Sequence, residues 1–182
     1  MLFRSGRGKT GSQALGAIFG GGKSKLPNVP PSSGTPSSGR ALVLHPTTIP
    51  KVAQNIVDVA LKDGTLTKIS ATEWRSKGGL VYGTNPRTQE TRIEHISRHL
   101  TLDPTRDKTG QTHSVFITAP DKLLGLLDQA WLKKGPHTID PRSGNWNYKI
   151  IFDRPIGASG EKNILISVRP GTSELVTAFP QF

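Results

Sequence analysis

The sequence predicts an α+β domain: N-terminal helices packed on a C-terminal antiparallel β-sheet, preceded by a disordered Gly/Pro/Ser-rich basic tail. Three observations lead there. Apolar residues recur at helical spacing in successive segments between Pro50 and Lys134. After Trp146 come three strand-like runs, and Arg169-Pro170-Gly171-Thr172 has the composition of a type II turn between the last two. Residues 1–41 are dominated by glycine, proline and serine, a composition that buries too little apolar surface to offset chain entropy. Helices and strands are segregated along the chain rather than alternating, which separates α+β from α/β.

Taken in order, residues 1–41 read as a flexible tether and residues 42–182 as the folded domain. Ala17 to Ser24 satisfies a loose phosphate-loop pattern, Ala-Ile-Phe-Gly-Gly-Gly-Lys-Ser. Phosphate cradling needs a strand before such a loop and a helix after it; glycines precede this one and Pro27 and Pro30 follow, so no nucleotide or other cofactor is assigned. Pro50 to Leu61 reads as a helix with Val52, Ile56, Val59 and Ala60 inward, started by Pro50 and stopped by Asp63-Gly64. Ser76 to Gly83 is a Gly-flanked strand or active-site loop, and Asn85-Pro86 marks a turn. Thr91 with Glu94 forms a capping box, so a helix begins at Arg92 and runs to Leu100, before Asp103-Pro104. His113 to Thr118 alternates as a strand. The next helix begins around Thr118-Ala119-Pro120-Asp121, carries Leu123, Leu124, Leu127, Ala130 and Trp131 inward, and ends at Lys133, Lys134 and Gly135. Tyr148–Phe152, Asn163–Arg169 and Glu174–Phe179 complete the sheet.

The chain of 182 residues suits one domain with an appendage. It has no cysteine, which removes disulfides and thiolate zinc sites. Of the formal charge of +11, the first 40 residues supply +6 through Arg4, Arg7, Lys9, Lys23, Lys25 and Arg40, with no acid. The remaining +5 belongs to the domain, which favours a polyanionic partner such as nucleic acid. No apolar run approaches the ~18 residues of a membrane span. The first residues hold no sustained apolar stretch, so a classical signal peptide is not expected.

The densest titratable stretch is Arg92-Ile-Glu-His-Ile-Ser-Arg-His-Leu100. On a helix, Ile93, Ile96 and Leu100 face the core, while His95 and His99 share another face near Arg92 and Arg98. With His113, these imidazoles have the acid and base capacity to cleave a phosphodiester at neutral pH. In RNA the 2′-hydroxyl is an internal nucleophile, so only a base, an acid and cations are required; Arg92, Arg98, Arg169 and Lys149 are candidate cations. The same histidines also match helical zinc-ligand spacing, with His113 as a third ligand. Ile96, however, stands where a zinc-protease motif carries glutamate, and the arginines repel a cation. Structural or solvated histidine is the third reading. Among the aromatics, Trp74, Tyr82, Trp146 and Tyr148 lie among glycine, asparagine and basic residues as candidate base-stacking platforms.

The strings Trp74 to Tyr82, Arg92 to His99, His113 to Phe116, and Asn163 to Pro180 with its closing Thr-Ala-Phe-Pro resemble the C-terminal toxin domains of bacterial polymorphic toxins. The resemblance is to the barnase–EndoU–colicin–RelE group of ribonuclease folds and covers residues 74–180. It implies helices before an antiparallel sheet and catalytic roles for His95, His99, His113 and Thr177, the division between base and acid staying open. Substrate contacts are expected from Arg92, Arg98, Arg169, Lys149 and Tyr82. The implied activity is metal-independent endoribonuclease cleavage to a 2′,3′-cyclic phosphate, with no cofactor. The implied partners are an RNA substrate, tRNA among the candidate classes, and a cognate acidic immunity protein; the implied setting is a secreted or delivered effector acting in the target-cell cytoplasm. Where the resemblance implies a delivery or trafficking module, the sequence shows a basic tail, which makes the chain either a detached toxin module or the end of a longer protein. Two other readings stay open: a non-catalytic nucleic-acid-binding or interaction module, and a metal-dependent nuclease.

Overall fold

A computed structural model describes residues 49–103 and 113–182. The tail, the phosphate-loop-like segment and Leu42-Val43-Leu44 lie outside the described residues. The class is α+β, with three α-helices and two antiparallel sheets among the described residues.

Helix α1 spans Ile49–Lys62, with Pro50 in the first turn, where its missing N–H costs nothing. Its buried stripe is Ile49, Ala53, Ile56, Val57 and Ala60, rotated from the predicted one: Val52 and Val59 are only partly buried. Helix α2 packs on α1, and Ala53 and Ala60 belong to the same core as the α2 isoleucines. Gly64, at φ +77°, ends the helix in a conformation that a side chain would strain.

Between α1 and α2 lies a three-stranded sheet that the sequence reading left undivided: β1 (Leu66–Lys68), β2 (Trp74–Ser76) and β3 (Val81–Tyr82), in the order β1-β2-β3. Ser76 closes the β2–β3 turn, its hydroxyl accepting from Leu80 N–H at 3.0 Å. The Asp128 carboxylate holds the same turn through Gly78 N–H at 2.8 Å.

Helix α2 spans Arg92–Ser97 and tightens into a 3-10 turn, Arg98–Leu100. The capping box is formed as expected: Thr91 Oγ1 accepts from Glu94 N–H at 3.2 Å, and Glu94 Oε2 accepts from Thr91 N–H at 2.8 Å. After a 3-10 turn at Pro120–Lys122 comes α3, Leu123–Leu132. The strand expected at His113–Thr118 is not formed. Only Phe116 makes a β-bridge, to Gly157, closed by Ile117 N–H to Ile156 O and Ala158 N–H to Val115 O, while Phe116 N–H turns to His99 O instead of extending a ladder.

The second sheet runs β4 (Thr138–Ile139), β5 (Trp146–Ile151), β6 (Asn163–Val168) and β7 (Leu175–Gln181), in that order. Gly171, at φ +72°, and the Thr172 N–H to Arg169 O bond of 3.1 Å close the predicted type II turn. One sheet face, with Tyr148, Ile150, Ile164, Ile166, Val168 and Ala178, meets Ile93, Ile96, Leu100 and the α3 leucines in the core. Each isoleucine, leucine or valine among them contributes about 1.5–3 kcal/mol on burial. The other face carries Asn147, Lys149, Leu165, Ser167, Thr177 and Phe179. Pro180 is tolerated because β7 is an edge strand.

A register shift decides which face Thr177 occupies. Residues two apart on a strand share a face, yet Leu175 pairs with core Val168 while Thr177 pairs with Ser167 on the open face. The irregularity between Ser167 and Val168 leaves Val176 as an extra residue and reverses the phase of β7.

Candidate active site at the edge of the C-terminal sheet

Helix α2 lies beside β7, the edge strand, and Arg92 N–H anchors its start to Gly83 O at 2.8 Å. This brings His95 to the sheet: Nε2 is 3.2 Å from Thr177 Oγ1, and Nδ1 is 3.7 Å from Glu90 Oε2. Glu90 also pairs with Arg98, Oε1 to Nη2 at 2.6 Å. The turn before α2 seats Glu90, closed by Asn85 N–H to Glu90 O and Gln89 N–H to Asn85 O, each 2.8 Å. It holds Gln89 at φ +59°, a left-handed conformation costing a non-glycine residue ~1–3 kcal/mol. Thr177, His95 and Glu90 thus form a hydroxyl, imidazole and carboxylate in series, the ring 29% exposed and the carboxylate 17%.

His99 sits deeper, at 8% exposure. Its Nδ1 lies 2.9 Å from Ser114 O, and since a carbonyl only accepts, Nδ1 carries the proton. The ring is stacked between His113, at 4.8 Å, and Phe179, at 5.7 Å. His95 and His99, 6.3 Å apart between centroids, meet edge-on. His113 is of another kind. Its Nε2 lies 3.1 Å from both Arg98 O and Thr101 O, so Nε2 carries the proton, and Nδ1 is buried without a hydrogen-bond partner among the described residues. One nitrogen is spent on carbonyls and the other is buried; the ring ties the end of α2 and backs His99.

The expected cations divide likewise. Arg98 is paired with Glu90, and Arg169 Nε with Glu174 Oε2 at 2.7 Å. Arg92 makes no ion pair within 4.0 Å among the described residues. Burial, then the neighbouring Arg169 charge, holds its guanidinium below the usual value; Glu90 and Glu174 oppose that shift. Lys149 shares the open face with Thr177 but stands two strands away, its Nζ donating to Phe182 O at 2.7 Å.

Tyr82 corrects the sequence reading. It is 0% exposed, its hydroxyl has no partner among the described residues, and burial pushes its pKa far above the ordinary phenol value. Strand β3 turns the ring into the core, so no face is offered to a base. The sequence reading also missed Glu90 and Phe179. Glu90 carried no signal, since only the folded turn aims it at position 95; Phe179 follows Thr177 by two and was legible from strand alternation. Among the described residues no three His, Asp or Glu side chains converge as a metal site, and no helix is long and apolar enough to cross a membrane. Comparison with protein-family models, curated proteins and solved structures finds no significant match.

Proposed function

We propose that this chain is a metal-independent endoribonuclease of the toxin type, cleaving RNA by attack of the 2′-hydroxyl on the adjacent phosphate. The observation that carries the proposal is the His95–Thr177 contact of 3.2 Å, backed by Glu90 and flanked by Arg92 and His99. His95 Nε2 is the general base, its ring oriented and its developing charge offset by Glu90. Thr177 directs its hydroxyl at a phosphoryl oxygen, and Arg92 stabilises the charge that grows there. His99 is the candidate acid for the 5′-oxygen leaving group, giving a 2′,3′-cyclic phosphate and a 5′-hydroxyl. His113 acts as a positioning residue that fixes the His99 ring. The proposed setting is delivery into a target cell, with an acidic immunity protein covering the basic site.

Purified protein is expected to cut total RNA in EDTA, and to leave a DNA strand of the same sequence intact because it lacks the nucleophile. His95→Ala is expected to slow cleavage by about 10²–10⁴-fold at unchanged Tm, whereas His113→Ala lowers Tm as well as rate. RNA left whole by well-folded protein, or a His95→Ala variant of full activity, would sink the reading. Salt-sensitive RNA binding without turnover would instead favour an interaction module.

A further inference from the structure

A groove of about 290 Å³ lies where α3 begins and shares no lining residue with the His95–Thr177 contact. Its size is at the lower end of the range for small-ligand sites. One wall is α3 with the 3-10 turn before it: Lys122, Leu126 and Gln129, at i, i+4 and i+7, lie on one helix face. The facing wall is made by residues 117–119 and 154–156, joined by Ile117 N–H donating to Ile156 O at 3.0 Å. Gly125 keeps the space between them open. Its backbone is not left-handed, and no atom outside its immediate backbone stands within 4 Å of where a Cβ would lie. Neither conformation nor close packing therefore requires a glycine, although glycine is a poor helix former. What the missing side chain provides is room in the groove.

The lining has a definite chemistry. Lys122 and Arg154 bring two positive charges, and no carboxylate lines the groove among the described residues. Arg154 makes no ion pair within 4.0 Å among those residues. Lys122 has Asp121 at 3.4 Å, but its side chain is 72% exposed, so this is a weak surface pair that a ligand can displace. Thr118 and Gln129 add a hydroxyl and an amide that can donate, and Leu126, Pro155 and Ile156 add apolar surface. A phosphomonoester carries about −1.5 to −2 charges near neutral pH and three acceptor oxygens. Two cations with two neutral donors match that head, where a carboxylate would use only part of them. The apolar residues suit the ring system that a nucleoside carries behind its phosphate.

The groove is also joined to the histidine cluster. His99 Nδ1 donates to Ser114 O at 2.9 Å, and Phe116 N–H donates to His99 O at 2.7 Å. Residues 114–117 thus hold His99 at one end and form the groove wall at the other.

We propose that this groove is a second ligand site, for a nucleoside 5′-phosphate held between Lys122 and Arg154, and that its occupancy is transmitted to His99 through residues 114–117. Amide and ring-proton NMR of the full chain, titrated with 5′-AMP and with adenosine, tests it. Expected with 5′-AMP are saturable shifts at Ala119, Gly125, Ile156 and the His99 ring with one midpoint, and binding of adenosine weaker by about 10-fold or more. Arg154→Gln should weaken 5′-AMP by a similar factor. Gly125→Leu should abolish the shifts without lowering Tm, leucine being the better helix former. Arg92→Gln should leave the midpoint unchanged, which separates this groove from nucleotide binding at the catalytic edge. A 5′-phosphorylated oligodeoxyadenylate, titrated in the same way, distinguishes the end of a strand from a free nucleotide as the source of the phosphate. Unmoved amides along the groove, equal affinity for adenosine, or binding that survives both Arg154→Gln and Gly125→Leu would overturn the site, and a His99 ring that does not respond would overturn the link. None of these readings uses RNA cleavage, so they stand apart from the ribonuclease proposal.

Discussion

His95 and His113 are the same residue type in one cluster, and their surroundings give them opposite roles. The first shows a nitrogen to Thr177 at a partly exposed edge; the second has one nitrogen on two carbonyls and the other buried. Reading histidines from spacing alone treats them as equivalent, because the hydrogen bonds that fix a tautomer come from backbone atoms of Arg98, Thr101 and Ser114. Tyr82 carries the same lesson for aromatics: the glycines around it left strand and active-site loop both open, and β3 made it core. Its partnerless hydroxyl gives a direct check. Tyr82→Phe is expected to leave RNA cleavage unchanged and to shift unfolding free energy by no more than about 1 kcal/mol, toward stability, since the unsatisfied donor is removed without loss of ring packing. A fall in activity at unchanged stability, measured by urea unfolding alongside kinetics, would return Tyr82 to the site.

Two small devices set the geometry at the level of elements. The capping box determines where α2 begins, and so which way His95 and Ile96 point; the extra residue at Val176 determines that Thr177 leaves the core face while Leu175 stays in it. The first was legible, because a Thr-x-x-Glu pair is a local chemical signal. The second was not, because strand phase depends on which residues of β6 lie opposite. Thr91→Ala is expected to cost about 1 kcal/mol in chemical denaturation and to lower cleavage more than that loss explains, since Glu94 N–H loses the hydroxyl that accepts from it and the helix start is loosened. Unaltered activity together with unaltered stability would show that the box does not hold the site. The 3-10 turn at Arg98–Leu100 was likewise invisible in the sequence; it departs from regular helical spacing just where His99 enters its stack.

For the whole molecule, charge is the property with the longest reach. The excess of +11 makes an anionic partner the natural one, but the folded arrangement spends two site arginines on Glu90 and Glu174, so Arg92 is the cation without such a pairing among the described residues. Arg92→Gln is accordingly expected to lower the salt slope of single-stranded RNA binding by about 0.7, with Tm unreduced because a partly desolvated charge is removed. Arg142→Gln, on the exposed β4–β5 turn, should leave the slope as it is. Equal slopes for the wild type and Arg92→Gln, measured by binding titrations over a salt series, would remove Arg92 from the phosphate path. The α+β class, the bounds of α1, the end of α3, the cap of α2, the Pro170-Gly171 turn and the three long strands were determined by the sequence itself, because periodicity, caps and turn residues act within a few neighbours. Only the tertiary structure decided that Glu90 stands behind His95, that Thr177 faces it, that His113 is tied down and that Tyr82 is core. Glu90 is seated by the local turn from Asn85; the others depend on residues farther along the chain, brought together by burial of the apolar face between α2, α3 and the sheet.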